Sequence, residues 1–189
     1  MNLTVRKLTP GDGEALIAYF DGPGFADNPS WRTCYCTFFH KPVGYGLETG
    51  KRMTNKTYCR QLVSRGILRG YLAVDEEGRI RGWVNVNEIS RLNALLPSQA
   101  PEGTRAVVCF VVEPGSRRQG VASRMMETIL EDARTEGWPG IEAYPARNAR
   151  SDAGHFHGPE SLYRKFGFTE KPGRSRYTLS LEFPSDPAS

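Results

Sequence analysis

The chain has 189 residues, of which 39% are hydrophobic and 24% are charged. This composition is typical of a folded domain with a core, and it excludes a chain that is disordered throughout. The N-terminus lacks an apolar signal-peptide stretch, and no apolar run is long enough to cross a bilayer. We therefore predict a cytoplasmic protein with no membrane partner, a single domain over residues 1–183 and a short polar tail over residues 184–189.

The chain is moderately basic, with 25 Lys and Arg residues against 21 Asp and Glu residues and a net charge of +4. Six of the basic residues are Lys, which leaves 19 Arg. A guanidinium group binds phosphate and carboxylate through a planar fork, so this composition favours an anionic ligand. The Arg residues are scattered rather than clustered, which weighs against the hypothesis of a basic nucleic-acid binder.

In the first part of the chain, short strands and helices are predicted to alternate. Alternating apolar residues predict a strand over residues 3–8, and Asp12 is the predicted N-cap of a helix over residues 13–20. A second helix is predicted to begin after Thr54 or Asn55.

The second part of the chain holds the clearest pattern. A hairpin over residues 71–74 and 80–89 precedes an apolar run, Arg105 to Val112, that is typical of a strand buried on both faces. Apolar residues four positions apart then predict a helix from Val121 to Gly137. The remaining predicted elements are a strand over 141–144, a short helix from Pro159 to Gly167, and a strand pair over 168–170 and 176–183. This mixture predicts an α/β or α+β sheet covered by helices.

The junction between the buried strand and the long helix is the most informative stretch. It carries Arg117, Arg118 and Gln119 directly before Gly120, where the helix begins. The first turn of a helix presents amide groups without intrahelical partners together with partial positive charge, and glycine lets a ligand approach the backbone. These features predict a diphosphate-binding turn, although an ordinary strand–loop–helix connection with solvated Arg side chains has the same pattern.

Two segments resemble signatures of the GNAT N-acetyltransferase superfamily. Arg117 to Ala122 (RRQGVA) resembles its Gln/Arg-x-x-Gly-x-Gly/Ala signature, and Ser161 to Phe168 (SLYRKFGF) resembles its second signature, a Tyr followed by Gly-Phe. The resemblance implies a mixed, mostly antiparallel central sheet with splayed central strands, flanked by helices. It implies acetyl-CoA as acyl donor, no metal, and a primary amine of a small molecule or peptide as acceptor. It is also compatible with a homodimer, since many relatives form one.

The resemblance also implies roles for individual residues. It places Tyr163 where the family has the hydroxyl that protonates the departing CoA thiolate, and Asn148 near the family's cofactor-binding Asn. Pantetheine and the acetyl carbonyl would contact the backbone of Phe110, Val111 and Val112. The pyrophosphate would be held by Arg117, Arg118, Gln119, Gly120, Val121, Ala122 and Ser123.

The general base is less defined, because residues 106–109 of the central strand have no carboxylate where some relatives have a Glu. Glu88 on the preceding strand is the predicted base, acting through water. His155, His157 and Asp152 are alternatives, as is a water chain that ends at backbone carbonyls. The absent carboxylate also motivates an alternative function, a GNAT-like domain that senses acyl-CoA without turnover.

The aromatic stretch WRTCYCTFF, residues 31–39, is predicted to be a strand or a loop that lines a site. In the family this region commonly forms the acceptor pocket, so the resemblance predicts that Trp31, Tyr35 and Phe38 or Phe39 line that pocket. Cys34 and Cys36 have three alternatives: buried thiols, a redox-active pair, or ligands of a zinc ion together with His40. Without an export signal we expect free thiols and no metal.

Overall fold

A computed structural model describes residues 2–41, 53–92, 100–147, 155–172 and 177–183. Asn148, Asp152 and the predicted tail, residues 184–189, lie outside the described residues. Among the described residues, none of the helices has the length and apolarity needed to traverse a bilayer.

One seven-stranded sheet organises the chain in the order β1-β2-β3-β4-β5-β7-β6. All neighbouring strands are antiparallel except β4 and β5, which run parallel. The strands are β1 (Leu3–Lys7), β2 (Gly70–Asp75), β3 (Ile80–Glu88), β4 (Arg105–Val112), β5 (Gly140–Ala143), β6 (Thr169–Glu170) and β7 (Leu179–Glu182). The predicted mixed, mostly antiparallel sheet is confirmed.

Strand β4 is where the sheet opens. It pairs with β5 only from Arg105 to Val107, so its C-terminal half has no parallel neighbour. On the other side, the register against β3 shifts between Val107 and Cys109, which leaves Val108 as an extra residue. A bulge of this kind bends a strand and increases its twist. The bulge and the missing neighbour together produce the splay, and they leave one edge of β4 able to bond another chain segment or a ligand.

Four helices cover the sheet: α1 (Gly13–Asp21), α2 (Asn55–Ser64), α3 (Val121–Thr135) and α4 (Glu160–Lys165). The predicted cap of α2 is Thr54, whose hydroxyl oxygen accepts a hydrogen bond from the Thr57 amide at 3.2 Å. Helix α3 buries its apolar stripe, including Met125 and Ile129, in the larger core, and α1 and α2 pack with Trp83 in a second core. The sheet is therefore covered on both faces, and the C-terminal half of β4 lines a cleft.

Residues 31–39 do not form a strand. They form one 3₁₀ turn over Trp31–Cys34 and lead into a second over Phe38–His40. Between the turns, Tyr35 and Cys36 have positive φ angles of 46° and 56°. The backbone therefore changes direction twice. This agrees with the loop that was predicted as one alternative and not with the strand.

Asp12 does precede α1, but its carboxylate makes no hydrogen bond to that helix. It accepts instead from the Thr9 amide and the Thr9 hydroxyl, both at 2.7 Å, and from both terminal nitrogens of Arg6. The Arg6 guanidinium holds the pKa of Asp12 well below its usual range. Asp12 therefore fixes the turn between β1 and α1 rather than capping the helix.

We predict that Asp12→Asn lowers the free energy of unfolding at neutral pH by about 1–2 kcal/mol, because it removes a charged acceptor of several hydrogen bonds. Because the pKa of Asp12 is lower in the folded state than in the unfolded state, its ionised carboxylate stabilises the fold at pH values above the unfolded pKa of about 4. That stabilisation is lost as the pH falls from the unfolded pKa to the folded pKa. The wild type should therefore lose stability on acidification more steeply than the variant, as measured by urea unfolding between about pH 5 and pH 2. Glu14→Gln, which removes a surface ion pair with Arg60, is the control. If both variants changed the pH dependence of the unfolding free energy equally, the prediction would be contradicted.

Candidate active site

A strand–loop cleft of about 440 Å³ lies between the C-terminal half of β4 and the start of α3. Loops from both ends of the chain complete its walls. The described lining residues are Gly24, Phe25, Asp27, Asn28, Trp31, Phe110, Val111, Val112, Ser116, Arg117, Arg118, Gly120, Val121, Ala122, Ser123, His155, Phe156, Gly158 and Pro159. The cleft therefore brings together most of the residues predicted for the cofactor: the three on β4 and all of those from Arg117 to Ser123 except Gln119.

The turn before α3 presents its backbone to this cleft. Gly120 is the N-cap of α3, with φ of 83°, and a Cβ atom built at this position would meet no atom within 4 Å. Arg118 also has a positive φ, 59°. The first amides of a helix have no intrahelical partner, and the space at Gly120 lets a ligand approach them, which is how a helix N-terminus binds anions. Gln119 holds the turn itself, since its side-chain amide donates to the Gly115 carbonyl at 2.7 Å.

Arg117 fixes the loop rather than standing as a solvated charge. Its Nε atom donates to the Val112 carbonyl at 3.0 Å, and its two terminal nitrogens donate to Asp27 at 2.5 and 3.1 Å. The Arg117 guanidinium lowers the pKa of Asp27. A bidentate pair of this kind joins the loop after α1 to the end of β4 and therefore shapes one wall of the cleft.

The open edge of β4 is bonded by the segment His155–Gly158, which we call the 155–158 segment. The Phe110 amide donates to the Phe156 carbonyl at 2.6 Å, and His157 Nδ1 lies 2.7 Å from the Val108 carbonyl oxygen. A carbonyl oxygen accepts only, so Nδ1 of His157 carries the hydrogen and Nε2 is the basic nitrogen of the neutral ring. The segment thus bonds to β4 beyond the point where β5 ends.

Tyr163 lies on α4, with no exposed surface, and its ring packs against Phe168 with 5.3 Å between centroids. Its hydroxyl donates to the His157 carbonyl, and burial raises its pKa well above the ordinary value. Gly158 makes this contact fit: its φ is +82°, and a Cβ atom there would lie 2.7 Å from the Tyr163 hydroxyl oxygen. Tyr163 is therefore a protonated hydroxyl held against the same segment that bonds Phe110.

Glu88 does not lie in this cleft, which argues against its predicted role as base. It pairs with Arg105 across the β3–β4 ladder, five residues before Phe110, or about 16 Å away at the usual rise of a strand. Its carboxylate accepts from Arg105 at 2.7 Å and from Arg91 at 2.9 Å, and the Arg91 hydrogen bond lowers its pKa. A carboxylate neutralised by guanidinium groups is a poor proton acceptor.

A second space, the aromatic cavity, has a volume of about 630 Å³ and lies across the 155–158 segment from the strand–loop cleft. Trp31 and Phe156 line both, with 5.3 Å between their ring centroids. The described lining residues are Trp31, Thr33, Cys34, Cys36, Thr37, Phe38, Phe39, Lys41, Asn55, Val108, Cys109, Phe156 and His157. Trp31, Phe38 and Phe39, three of the residues predicted for the acceptor pocket, therefore line one cavity together, and their role stays a prediction. Tyr35 does not line it, because its ring packs against Phe20 and its hydroxyl donates to Asp21.

The four cysteines are free thiols. Cys36 and Cys109 contact each other, and this hydrogen bond, with burial, raises the pKa of the Cys109 thiol. His40 is buried against Asn85, with 3.0 Å between Nε2 and the amide nitrogen, and burial lowers its pKa to about 4. Within the described part of the chain, no three His, Cys, Asp or Glu side chains are grouped so that they could hold a metal ion.

Three parts of the site were missed by the sequence analysis. Asp27 sits in a loop that carries no motif, and the Phe156 carbonyl is a backbone group to which no sequence pattern points. Gly158, directly before Pro159, does carry the signal of a sharp turn. That signal indicates neither which strand the turn approaches nor that Tyr163 lies beneath it.

The chain was also compared with known proteins. No curated protein sequence matches it. Its fold is similar to that of an aminoglycoside acetyltransferase from an uncultured soil metagenomic sample (TM-score 0.60, 19% identity, 98% of this chain and 100% of that chain covered). It is also similar to a GNAT family acetyltransferase from Brucella melitensis in complex with acetyl-CoA (0.55, 17%, 98% and 92%) and to PaiA N-acetyltransferase from Thermoplasma acidophilum in complex with coenzyme A (0.55, 14%, 97% and 100%). At these identities the likeness shows the fold.

The match to a family model decides the class of protein. The model of the acetyltransferase (GNAT) family matches residues 31–168, which span β2 to β5, α2 to α4, the described lining of the aromatic cavity and both segments that carried the resemblance. The predicted class, an acetyltransferase, is thereby confirmed, and the chain belongs to the acetyltransferase (GNAT) family.

Proposed function

We propose that the protein transfers the acetyl group of acetyl-CoA to a primary amine of a small molecule or peptide. The observation that carries the proposal is that the turn before α3 and the last three residues of β4, Phe110 to Val112, line one cleft. That arrangement suits a ligand with a diphosphate at one end and amide groups along its length. The complexes of the Brucella melitensis and Thermoplasma acidophilum proteins with acetyl-CoA and coenzyme A support the same assignment.

The residues present fit this donor. In the proposal, the backbone of Phe110, Val111 and Val112 bonds the pantetheine arm, and the backbone from Arg117 to Ser123 holds the pyrophosphate. The open space at Gly120 suits the close approach of phosphate oxygens. Within the described residues, Nδ1 of His155 is a buried nitrogen without a hydrogen-bond partner, and His155 lines the cleft. Asn148 stays a prediction of the resemblance.

The Phe110 amide has a second part in the proposal. It would donate to the acetyl carbonyl and stabilise the negative charge that develops on that oxygen during attack. Because an amide hydrogen makes one strong hydrogen bond, the Phe156 carbonyl that now accepts from Phe110 must leave before the thioester can take its position. In the proposal, the Phe156 carbonyl is displaced from Phe110 while Nδ1 of His157 keeps its hydrogen bond to the Val108 carbonyl.

The chemistry needs one base and one acid. An alkyl amine with a pKa of about 10.4 is an ammonium ion at neutral pH, so it loses one proton to solvent before attack, and its nitrogen loses a second proton as the amide forms. We assign this second proton to Nε2 of His157, the basic nitrogen of a ring that lines the aromatic cavity and is oriented by the Val108 carbonyl. As the C–N bond forms and the C–S bond breaks, Tyr163 gives its phenolic proton to the departing sulfur. His157 then releases a proton to solvent and Tyr163 takes one from solvent, which returns both side chains to their starting state.

Two measurements test the function. Isothermal titration calorimetry with acetyl-CoA should show binding, and acetyl-CoA with a panel of primary amines should release CoA thiol in an amine-dependent reaction. Absence of binding would overturn the proposal. Tight binding without thiol release from any amine would favour the alternative of an acyl-CoA sensor, to which the bonded state of Phe110 also lends support.

We predict that Gly120→Ala raises the Kd for acetyl-CoA about tenfold or more, because a methyl group at this turn meets the incoming pyrophosphate. Gly78→Ala is the matched control, since Gly78 in the β2–β3 hairpin has nearly the same φ, +79°, and equally open surroundings. Both variants should lose about 1 kcal/mol of stability from the backbone penalty. Only Gly120→Ala should lose affinity in calorimetry, and an equal Kd for both variants would contradict the assigned pyrophosphate site.

A further inference from the structure

Two thiols that line the aromatic cavity have no part in the proposed reaction. Cys36, on the loop over residues 31–39, and Cys109, on β4, are hydrogen-bonded to each other at the cavity wall. We infer that Cys36 is a site of reversible oxidation by hydroperoxides and that Cys109 then closes a Cys36–Cys109 disulfide. The inference goes beyond the proposed function, because its chemistry needs neither acetyl-CoA nor an amine.

The sheet and the loop bring the two sulfur atoms together. Cys109 lies opposite Asn85 in the β3–β4 ladder, so these two side chains are neighbours on one face of the sheet. The Asn85 side-chain amide donates to the Cys36 sulfur at 3.4 Å, which places Cys36 over this cross-strand pair. Cys36 and Cys109 also pack in one apolar cluster with Trp83. A disulfide forms without backbone movement only between side chains that already face each other, and these two do.

Hydrogen-bond donors surround the sulfur of Cys36. Asn85 is the first donor, and the thiol of Cys109 is the second. The third is the indole N–H of Trp83, which is fully buried beside this sulfur and has no other hydrogen-bond partner among the described residues. Burial acts to raise the pKa of the Cys36 thiol, but these donors outweigh it, and the pKa lies below its ordinary value. The thiolate is the nucleophilic form of cysteine, so of the two residues Cys36 reacts first.

Access separates these two thiols from a third one nearby. The aromatic cavity has a volume of about 630 Å³, whereas a water molecule occupies about 30 Å³. Hydrogen peroxide is only slightly larger than water and can therefore enter the cavity. Cys59 is fully buried and is not among the described lining residues, and burial raises the pKa of its thiol to about 12. We therefore expect Cys59 to stay reduced while Cys36 reacts.

The reaction proceeds in two balanced steps. The Cys36 thiolate attacks one oxygen of the peroxide, so an S–O bond forms, the O–O bond breaks, and the hydroxide that leaves takes a proton from solvent. The sulfur of Cys109 then attacks the sulfenic acid of Cys36. The S–S bond forms, the S–O bond breaks, and the hydroxyl group leaves as water with the proton of Cys109. The two thiols lose two electrons, which reduce the peroxide to water, and an added dithiol reverses the oxidation by thiol–disulfide exchange.

The first experiment treats the full chain with hydrogen peroxide, removes the excess with catalase and counts the free thiols after denaturation. The count should fall from four to about two and return to four after dithiothreitol. Mass spectrometry of a tryptic digest should find the peptide of Cys109 joined to the one that carries Cys34 and Cys36, which no Lys or Arg separates. Retention of all four thiols under conditions that oxidise free cysteine would overturn the inference.

Variants identify the residues. Cys36→Ser should abolish the cross-link and slow the first loss of a thiol about tenfold or more. Cys109→Ser should keep the first step but leave a sulfenic acid at Cys36, which dimedone traps. Cys34→Ser, in the same loop, is the matched control and should form the cross-link as the wild type does. Its digest decides even if Cys36→Ser does not fold, because only one cysteine of the loop then remains. A cross-link that persists in Cys36→Ser, or that is lost in Cys34→Ser, would also overturn the inference.

Discussion

We expect Tyr163→Phe to lower kcat by about 10²–10⁴-fold while the Kd for acetyl-CoA stays within about twofold. Burial raises the pKa of Tyr163, so its hydroxyl holds the proton throughout the neutral range. In the proposed mechanism, low-polarity surroundings disfavour a free thiolate, so the departing sulfur gains from a proton supplied by Tyr163. Steady-state kinetics by CoA-thiol release gives kcat, and calorimetry gives the Kd.

The control separates lost chemistry from lost packing. Tyr71 is also buried and, like Tyr163, is not among the described residues that line the strand–loop cleft or the aromatic cavity, but its hydroxyl donates to Asp132 at 2.7 Å and not to the 155–158 segment. Tyr71→Phe and Tyr163→Phe each remove one buried hydrogen bond, so each should lose about 1 kcal/mol of stability. Only Tyr163→Phe should lose turnover. A Tyr163→Phe enzyme with more than half of the wild-type kcat would reject Tyr163 as the acid.

The strand–turn–helix unit that carries the cleft could be predicted because its signals are local. The apolar run of β4, the stripe of α3 and the glycine at their junction each follow from neighbouring residues. The amides of Gly120 and the residues after it are positioned by that unit alone. The backbone of the turn and of the first helical residues was therefore accessible from sequence.

The side-chain part depended on pairing between distant segments. Glu88 was predicted to lie near the reacting centre because it ends the strand beside β4, but the antiparallel register places it opposite Arg105 at the far end.

A strand was predicted as one alternative for residues 31–39 from their aromatic content. Tyr35 and Cys36 instead adopt positive φ angles where their side chains pack against Phe20 and Cys109. Such conformations of non-glycine residues are imposed by tertiary packing and have no local signal.

The histidines show the same limit. His155 and His157 were equivalent alternatives in sequence, two positions apart in one loop. The structure turns them toward different spaces: His155 lines the strand–loop cleft, and His157 lines the aromatic cavity with Nδ1 on the Val108 carbonyl. The group that orients His157, the Val108 carbonyl, belongs to the bulge in the pairing of β3 with β4 and not to the loop that carries the histidines.

The second large effect is expected for His157→Asn. The Asn amide can take the place of Nδ1 and keep the hydrogen bond to the Val108 carbonyl, but nothing replaces the basic Nε2 nitrogen. We expect kcat to fall by about 10²-fold or more, with the Kd for acetyl-CoA little changed. An imidazole accepts a proton only in its neutral form, so activity of the wild type should fall on the acid side, and the variant should lose one ionisation from its pH–rate profile.

The pH profile decides between a chemical and a structural role for His157. If the imidazole only anchors the 155–158 segment, His157→Asn should preserve that anchor, keep the acid limb of the profile and retain most of kcat. His155→Asn is the matched control in the same segment. It should keep the acid limb of the pH–rate profile, because the His155 ring lines the strand–loop cleft. Added imidazole should restore part of the activity of a smaller variant, His157→Ala, if the missing group is a base. Two outcomes would contradict the role of His157 as base: loss of the acid limb in both histidine variants, or an unchanged acid limb in His157→Asn together with no rescue of His157→Ala by imidazole. In either case we would assign the amine proton to solvent instead.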